Sequence, residues 1–399
     1  MTTTTTTTTT SPTEIVDGIL AHIMPVVREH LGEGDRLRRL PDAVAEAMIE
    51  SGTFLCMTPK ALGGHELPPA DFARLVEEVS RVDPSAGFIV GNGNTEAYTL
   101  LVFPEEGCRE IYADPRAVLA GGAFPPAMAV PAEGGYRVSG RAAFASGAHL
   151  ATWVLAFGMI VEDGQPKMGP DGQPTMIMAV LPREECELVD TWNTLGLRGS
   201  GSHDFAYTDV FVPERRIALL APLVNTNPLY DGALFRARLW AGHPAFAMTA
   251  LGSARAAIDA TFDLVQRKTP NFMTQPLADS PSVQRLLGKA EAKWRAARGL
   301  VYDTLDKLWQ HQLRGEFVTF EHGIDTQLAC CFALETAREV TELCHEVAGS
   351  TGFKEDSPLE GYFRDAHTLS QHAFASQTRY ESAAKAMLGK PVDWLFFQL

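Results

Sequence analysis

The chain has 399 residues, 45% of them apolar, enough for two or three packed domains. Its 34 Lys and Arg against 49 Asp and Glu leave a formal charge of −15, which argues against nucleic acid as a partner, because phosphate backbones are held by clustered cations. No apolar run reaches the roughly 18–20 residues of a membrane span, the N-terminus lacks the regions of a secretory signal, and the six cysteines show no metal-ligand spacing. The expectation is a cytoplasmic protein with reduced thiols, no metal and no membrane partner.

Residues 1–10, Met1 and its threonine run, read as a disordered tail. Residues 11–115 read as a helical domain, with apolar residues three and four apart at Ile15, Val16, Ile19, Leu20 and Ile23, and again at Phe72, Leu75, Val76 and Val79. Within it, Gly91-Asn92-Gly93-Asn94 interrupts an apolar helical stretch, either as a ligand wall or as a turn between helices. Residues 116–222 change to short β-type runs (136–138, 152–157, 175–181, 205–212) separated by Gly- and Pro-rich turns. Strands joined by hairpins predict an antiparallel barrel or sandwich rather than a Rossmann sheet. Residues 228–390 return to helix in four long segments, 233–268, 280–314, 321–348 and 358–388, which predict a four-helix bundle. The fold class is therefore α+β.

Near the C-terminus, Arg364-Asp365-Ala366 is followed by His372-Ala373-Phe374-Ala375. This resembles the acyl-CoA dehydrogenase signature in which R-D-A precedes I-Y-E-G-T by four residues; the position of its basic Glu is Ala373 here. The middle of the chain carries Gly121-Gly122-Ala123-Phe124-Pro125-Pro126, Gly134 to Arg141, Phe144-Ala145-Ser146-Gly147, and Trp192 through Arg198-Gly199-Ser200-Gly201-Ser202. Together these blocks resemble the oxygenase components of two-component flavin monooxygenases built on the acyl-CoA dehydrogenase fold. Members act on p-hydroxyphenylacetate, hydroxylated steroid rings, indole-3-acetate and dibenzothiophene.

The resemblance implies hydroxylation of a phenolic or indolic small molecule through a C4a-hydroperoxyflavin. Reduced FMN or reduced FAD would come from a separate reductase, with dioxygen as co-substrate; no G-x-G-x-x-G nicotinamide fingerprint is present. It implies catalytic roles for Ser146 beside the flavin ring and His372 on the oxygen-reacting side. A histidine of ordinary pKa near 6.5 suits proton transfer near neutrality. Phe124, Phe144, Arg198 and Ser202 are expected at the cofactor. Arg267 matches an arginine that contacts flavin pyrophosphate from a neighbouring subunit, Phe272 the aromatic that follows it, and Gly349 and Ser350 a glycine loop on the cofactor's outer side. A homotetramer follows from that cross-subunit contact. Asn92, Asn94, Tyr98, Trp240 and His243 are expected to line a substrate pocket between the first domain and the bundle, whereas His149 and His367 are expected to be structural. The alternatives are an acyl-CoA dehydrogenase or oxidase with its base among Glu291, Glu335, Glu339, Glu342 and Glu346, a non-enzymatic flavin-binding subunit, or an oxygenase of amine nitrogen or thioether sulfur.

Overall fold

In the computed structural model, which describes residues 10–220, 225 and 227–397, the apolar spacing at the start of the chain becomes a buried helix face. Ser11 and Glu14 form a capping box that opens α1 (Pro12–Glu29), and Val16, Ile19, Ile23 and Val27 point inward. The threonine tail before Thr10 and the end of the expected β-region at 221–222 lie outside the described residues. Helices α2 (Glu33–Leu37), α3 (Asp42–Glu50), α4 (Pro69–Ser80), α5 (Pro84–Tyr98) and α6 (Glu105–Ile111) complete the first helical layer.

The glycine-asparagine stretch does not break the chain, as either sequence reading required: α5 runs straight through it. The glycines serve close packing instead. A Cβ at Gly91 would meet the Ala245 Cβ at 3.0 Å, and one at Gly93 the Phe54 ring at 2.8 Å. Packing against two neighbours thus overrides the low helix propensity of glycine.

The sheet contains β1 (Leu119–Ala132), β2 (Gly135–Ala145), β3 (Trp153–Glu162), β4 (Gln165–Pro166), β5 (Met176–Pro182), β6 (Glu187–Val189), β7 (His203–Pro213) and β8 (Ile217–Leu219). Their order is β6-β7-β2-β1-β3-β5-β8, with β4 on β3. The expected all-antiparallel arrangement is corrected at one pair: β1 and β3 are parallel, with Leu119 opposite Trp153. The segment after β2 returns the chain to the starting end of β1, where the Thr152 and Trp153 N–H groups both donate to the Val118 carbonyl. The sheet has its own core, including Val138, Phe205, Tyr207 and Val212, while the two helical regions share another.

The C-terminal region is built from α7 (His243–Arg267), α8 (Pro281–Leu313), α9 (Phe320–Ala348), α10 (Pro358–Leu369) and α11 (Thr378–Met387). The expected helix at 233–268 begins as 3-10 turns over Ala233–Ala241, and α7 starts after Gly242 with Pro244 in its first turn. The expected single helix at 358–388 is two helices, broken at 370–377. Gln327 of α9 donates its amide to the Phe374 carbonyl at 2.7 Å, so a tertiary bond holds a carbonyl in the break. Among the described residues, no helix is long and apolar enough to cross a membrane.

Candidate active site

Ser146 directly follows the last residue of β2, and its Oγ lies 2.8 Å from Ser202 Oγ. Ser202 Oγ lies in turn 2.7 Å from Ser200 Oγ, and all three serines are buried. Ser200 was not singled out in the sequence; the signal was the Ser-Gly-Ser repeat, which brings its two hydroxyls within bonding reach across a 3-10 turn. Beside Ser146 stands Phe144, 71% exposed with a φ of 61°, its ring edge-on to Trp192. Phe124 of β1 is equally exposed. Outward-facing rings beside a hydroxyl row offer an apolar surface and a hydrogen-bonding edge, which fits a flat heteroaromatic ring such as a flavin.

The loop carrying Ser200 and Ser202 is clamped by the retained R-D-A motif. Asp365 accepts the Leu197 N–H at 2.6 Å, and Arg364 donates to the Leu195 carbonyl at 2.7 Å. Burial pushes the Asp365 carboxyl up to about 7, although its bond from Leu197 acts in the opposite sense. Arg198, expected at the cofactor, braces this loop: it donates to the carbonyls of Asp35 and Thr194 and to the Asn193 side chain.

His372 lies in the break between α10 and α11, not on the last bundle helix. Its ring stacks on Phe246 at 4.2 Å and meets the edges of Phe88 and Phe374 at 5.8 and 5.2 Å. Loss of hydration among these rings pushes its pKa down to about 4, so it is neutral at pH 7. The ordinary value near 6.5 expected from sequence is corrected accordingly. Its Nδ1 accepts the Phe374 N–H at 3.3 Å. Helix α5 borders both halves of the site, with Phe88 against His372 and the adjacent Ile89 sharing a small cavity with Gly147 and Ser200.

Of the expected substrate wall, the structure brings Trp240 and His243 to this ring cluster. His243 stacks on Phe374 at 4.8 Å, and Trp240 lies 4.7 Å from His243. Asn92 is one helical turn beyond Phe88, on the same side of α5. Asn94 and Tyr98 are instead committed to the core: the Asn94 amide bonds Thr53, Val90 and Met57 backbone, and the Tyr98 hydroxyl donates to the Leu234 carbonyl. Glu96, missed in the sequence, is a partly buried carboxyl on α5 whose pKa burial raises to about 7. Each of four bundle glutamates weighed as a substitute base has a partner. Glu291 pairs with Arg255, Glu335 accepts from Tyr380, Glu339 pairs with Lys293, and Glu342 pairs with Arg338 and His367. His367 also bonds the Phe363 carbonyl.

Arg267 ends α7, Phe272 follows it in the connection to α8, and Gly349 and Ser350 follow the end of α9. Lys268, next to Arg267, ties the glycine loop with bonds to the Ala348 carbonyl at 2.6 Å and to Thr351 at 2.8 Å. The Arg267 Nε donates to the Asp263 carbonyl. Phe272 is fully exposed at a φ of 64°, and Gly349, at a φ of 54°, has open space where a Cβ would stand.

Two family models match the chain: the acyl-CoA dehydrogenase N-terminal domain over residues 14–117 and the C-terminal domain over residues 245–377. Indole-3-acetate monooxygenase of Pseudomonas putida is 33% identical over 91% of this chain and 91% of its own length. The flavin-dependent monooxygenase oxygenase subunit HsaA of Rhodococcus jostii is 28% identical, covering 88% of this chain and 92% of its own. Among solved structures, XiaF from a Streptomyces species, in complex with FADH2 and glycerol, superposes with a TM-score of 0.85 at 24% identity, covering 96% of this chain and 97% of that one. This chain belongs to the flavin-dependent monooxygenases built on the acyl-CoA dehydrogenase fold.

Proposed function

We propose that the chain is an oxygenase component that takes reduced FMN or FAD from a separate reductase and hydroxylates a flat aromatic or heteroaromatic small molecule. One observation carries the reading: the half-buried His372 ring packs against Phe88, Phe246 and Phe374 next to Ala373, where a dehydrogenase keeps its carboxylate. Relatives named for indole-3-acetate and, in Rhizobium, for FADH2-dependent resorcinol hydroxylation support an indolic or phenolic ring.

Bound flavin would supply the reduction of dioxygen and the electrophilic oxygen. Ser146 would hold the flavin N5 edge, with Phe144 and Phe124 against the ring. Arg267 and Phe272, with the Gly349-Ser350 loop, would meet its phosphate-bearing side from a neighbouring subunit of a tetramer. His372, uncharged at working pH and with its Nδ1 lone pair taken by the Phe374 N–H, would present its Nε2–H as a hydrogen-bond donor to the substrate oxygen or the reacting oxygen, held in place by the rings around it. Asn92, Trp240 and His243 would border the substrate.

The test is rapid mixing of oxygen with protein and reduced flavin, with indole-3-acetate and simple phenols as candidate substrates. His372→Ala is expected to keep flavin affinity while coupling of flavin oxidation to hydroxylated product drops by roughly 10²- to 10³-fold. Unchanged coupling would remove His372 from the mechanism. A second reading is a dehydrogenase with a relocated base, for which Glu96, one helical turn beyond Asn92 on α5, is the candidate. Anaerobic bleaching of bound oxidised flavin by acyl-CoA thioesters, lost in Glu96→Gln, would establish that reading instead.

A further inference from the structure

Resting on the reading that Ser146 meets the flavin, we propose that Ser146, Ser202 and Ser200 form a hydroxyl relay that carries a proton between the flavin N5 and the protein surface at His149. The two Oγ–Oγ distances, 2.8 and 2.7 Å, are full hydrogen bonds, and either partner of each can donate. Relative exposures of 7%, 3% and 0% from Ser146 to Ser202 to Ser200 leave the hydroxyls facing each other rather than bulk water.

Past Ser200 the row reaches a cavity of about 30 Å³ whose lining includes Ser200, Gly147, Arg39, Asp42 and His149. A water needs roughly 10–15 Å³ and two to four polar partners, and this lining supplies both. Arg39 and Asp42 are paired with each other. His149 is an exposed residue, so it borders both cavity and solvent. Its other neighbour, His203, is a fixed wall: its Nδ1 accepts the N–H groups of Thr191 and Trp192, and its Nε2 bonds the Arg38 carbonyl. Lost hydration, then His203, Arg39 and Arg183, hold the His149 pKa below its ordinary value, with Asp190 opposing, so the ring is neutral near pH 7 and has one donor and one acceptor nitrogen.

The balance is simple. Each hydroxyl accepts one proton as it gives up another, the cavity water and the imidazole do the same, and no electrons change hands. A flavin N5 with a lone pair makes Ser146 the donor; an N5–H makes it the acceptor and reverses the row. Ser202, Ser200 and His149 thus act through Ser146, as positioning residues.

Ring-nitrogen NMR of histidine-labelled protein reads this directly, without turnover. His149 is expected to change its tautomer balance between the forms loaded with oxidised flavin and, without oxygen, with reduced flavin. Ser200→Ala should abolish that change with flavin still bound. It should also slow peroxide release in the absence of substrate by roughly 10²-fold and reduce its proton inventory from several protons in flight to one. His149→Gln, at the surface, provides a second variant in which the proton inventory should fall in the same way. Protein that binds no flavin would overturn the underlying reading. Flavin-loaded protein whose His149 is silent to redox state, or responds equally in Ser200→Ala, would overturn the relay alone.

Discussion

His372 shows how a tertiary environment rewrites a residue's chemistry. Its folded pKa of about 4 is below the ordinary value, so the folded protein binds fewer protons than the unfolded chain between pH 6.5 and 4. The stability this residue contributes is full above pH 6.5 and is lost as pH falls through that window. Thermal melts from pH 7 to pH 4 are expected to show a falling midpoint, and His372→Gln, which cannot charge, should fall less steeply. Equal slopes would mean that the imidazole is hydrated after all. At the same scale, Asn94, Tyr98 and Arg198 have polar groups suited to binding, but these are engaged by backbone groups of the fold.

At the scale of elements, the most exacting contact is the crossing of α5 with the segment holding Phe54 and with α7. Gly93→Ala gains about 1 kcal/mol of helix propensity but drives a Cβ to 2.8 Å from the Phe54 ring. Overpacking of this kind costs about 1–3 kcal/mol, and the net is expected to be destabilising. A lower urea midpoint at unchanged m would show it; a raised midpoint would mean that Phe54 moves aside freely. The R-D-A motif is also an element-level device, since Asp365 and Arg364 of α10 hold the loop that positions Ser200 and Ser202. Asp365→Ala leaves the buried Leu197 N–H without its acceptor. It should cost about 1–3 kcal/mol and weaken flavin binding while leaving the His372 ring stack intact.

At the scale of the whole molecule, one subunit exposes Phe124, Phe144, Phe272 and Met273. Solvent-facing aromatic rings of this number are expected to be covered by flavin and by other subunits. Sedimentation is expected to give a tetramer, and Phe272→Ala should raise the flavin dissociation constant without lowering the melting temperature of the flavin-free protein. A flavin-competent monomer would remove Arg267 and Phe272 from the site.

Apolar periodicity and turn residues were sufficient for the order helices, strands, helices, because period 3.6 and period 2 are local properties of the chain. The Ala373 substitution was likewise legible, since a motif position needs only counting. The rest depended on partners distant in sequence. Gln327 reaches 47 residues to hold the broken helix that carries His372, Ser202 reaches 56 to meet Ser146, and Ala245 admits the glycine-rich turn of α5. Local sequence therefore determined the order of the helical and strand regions and which residue stands at the motif's base position. Tertiary packing alone decided which hydroxyls and rings share a space and whether His372 carries a charge, because burial and hydrogen bonding depend on neighbours that only the fold supplies.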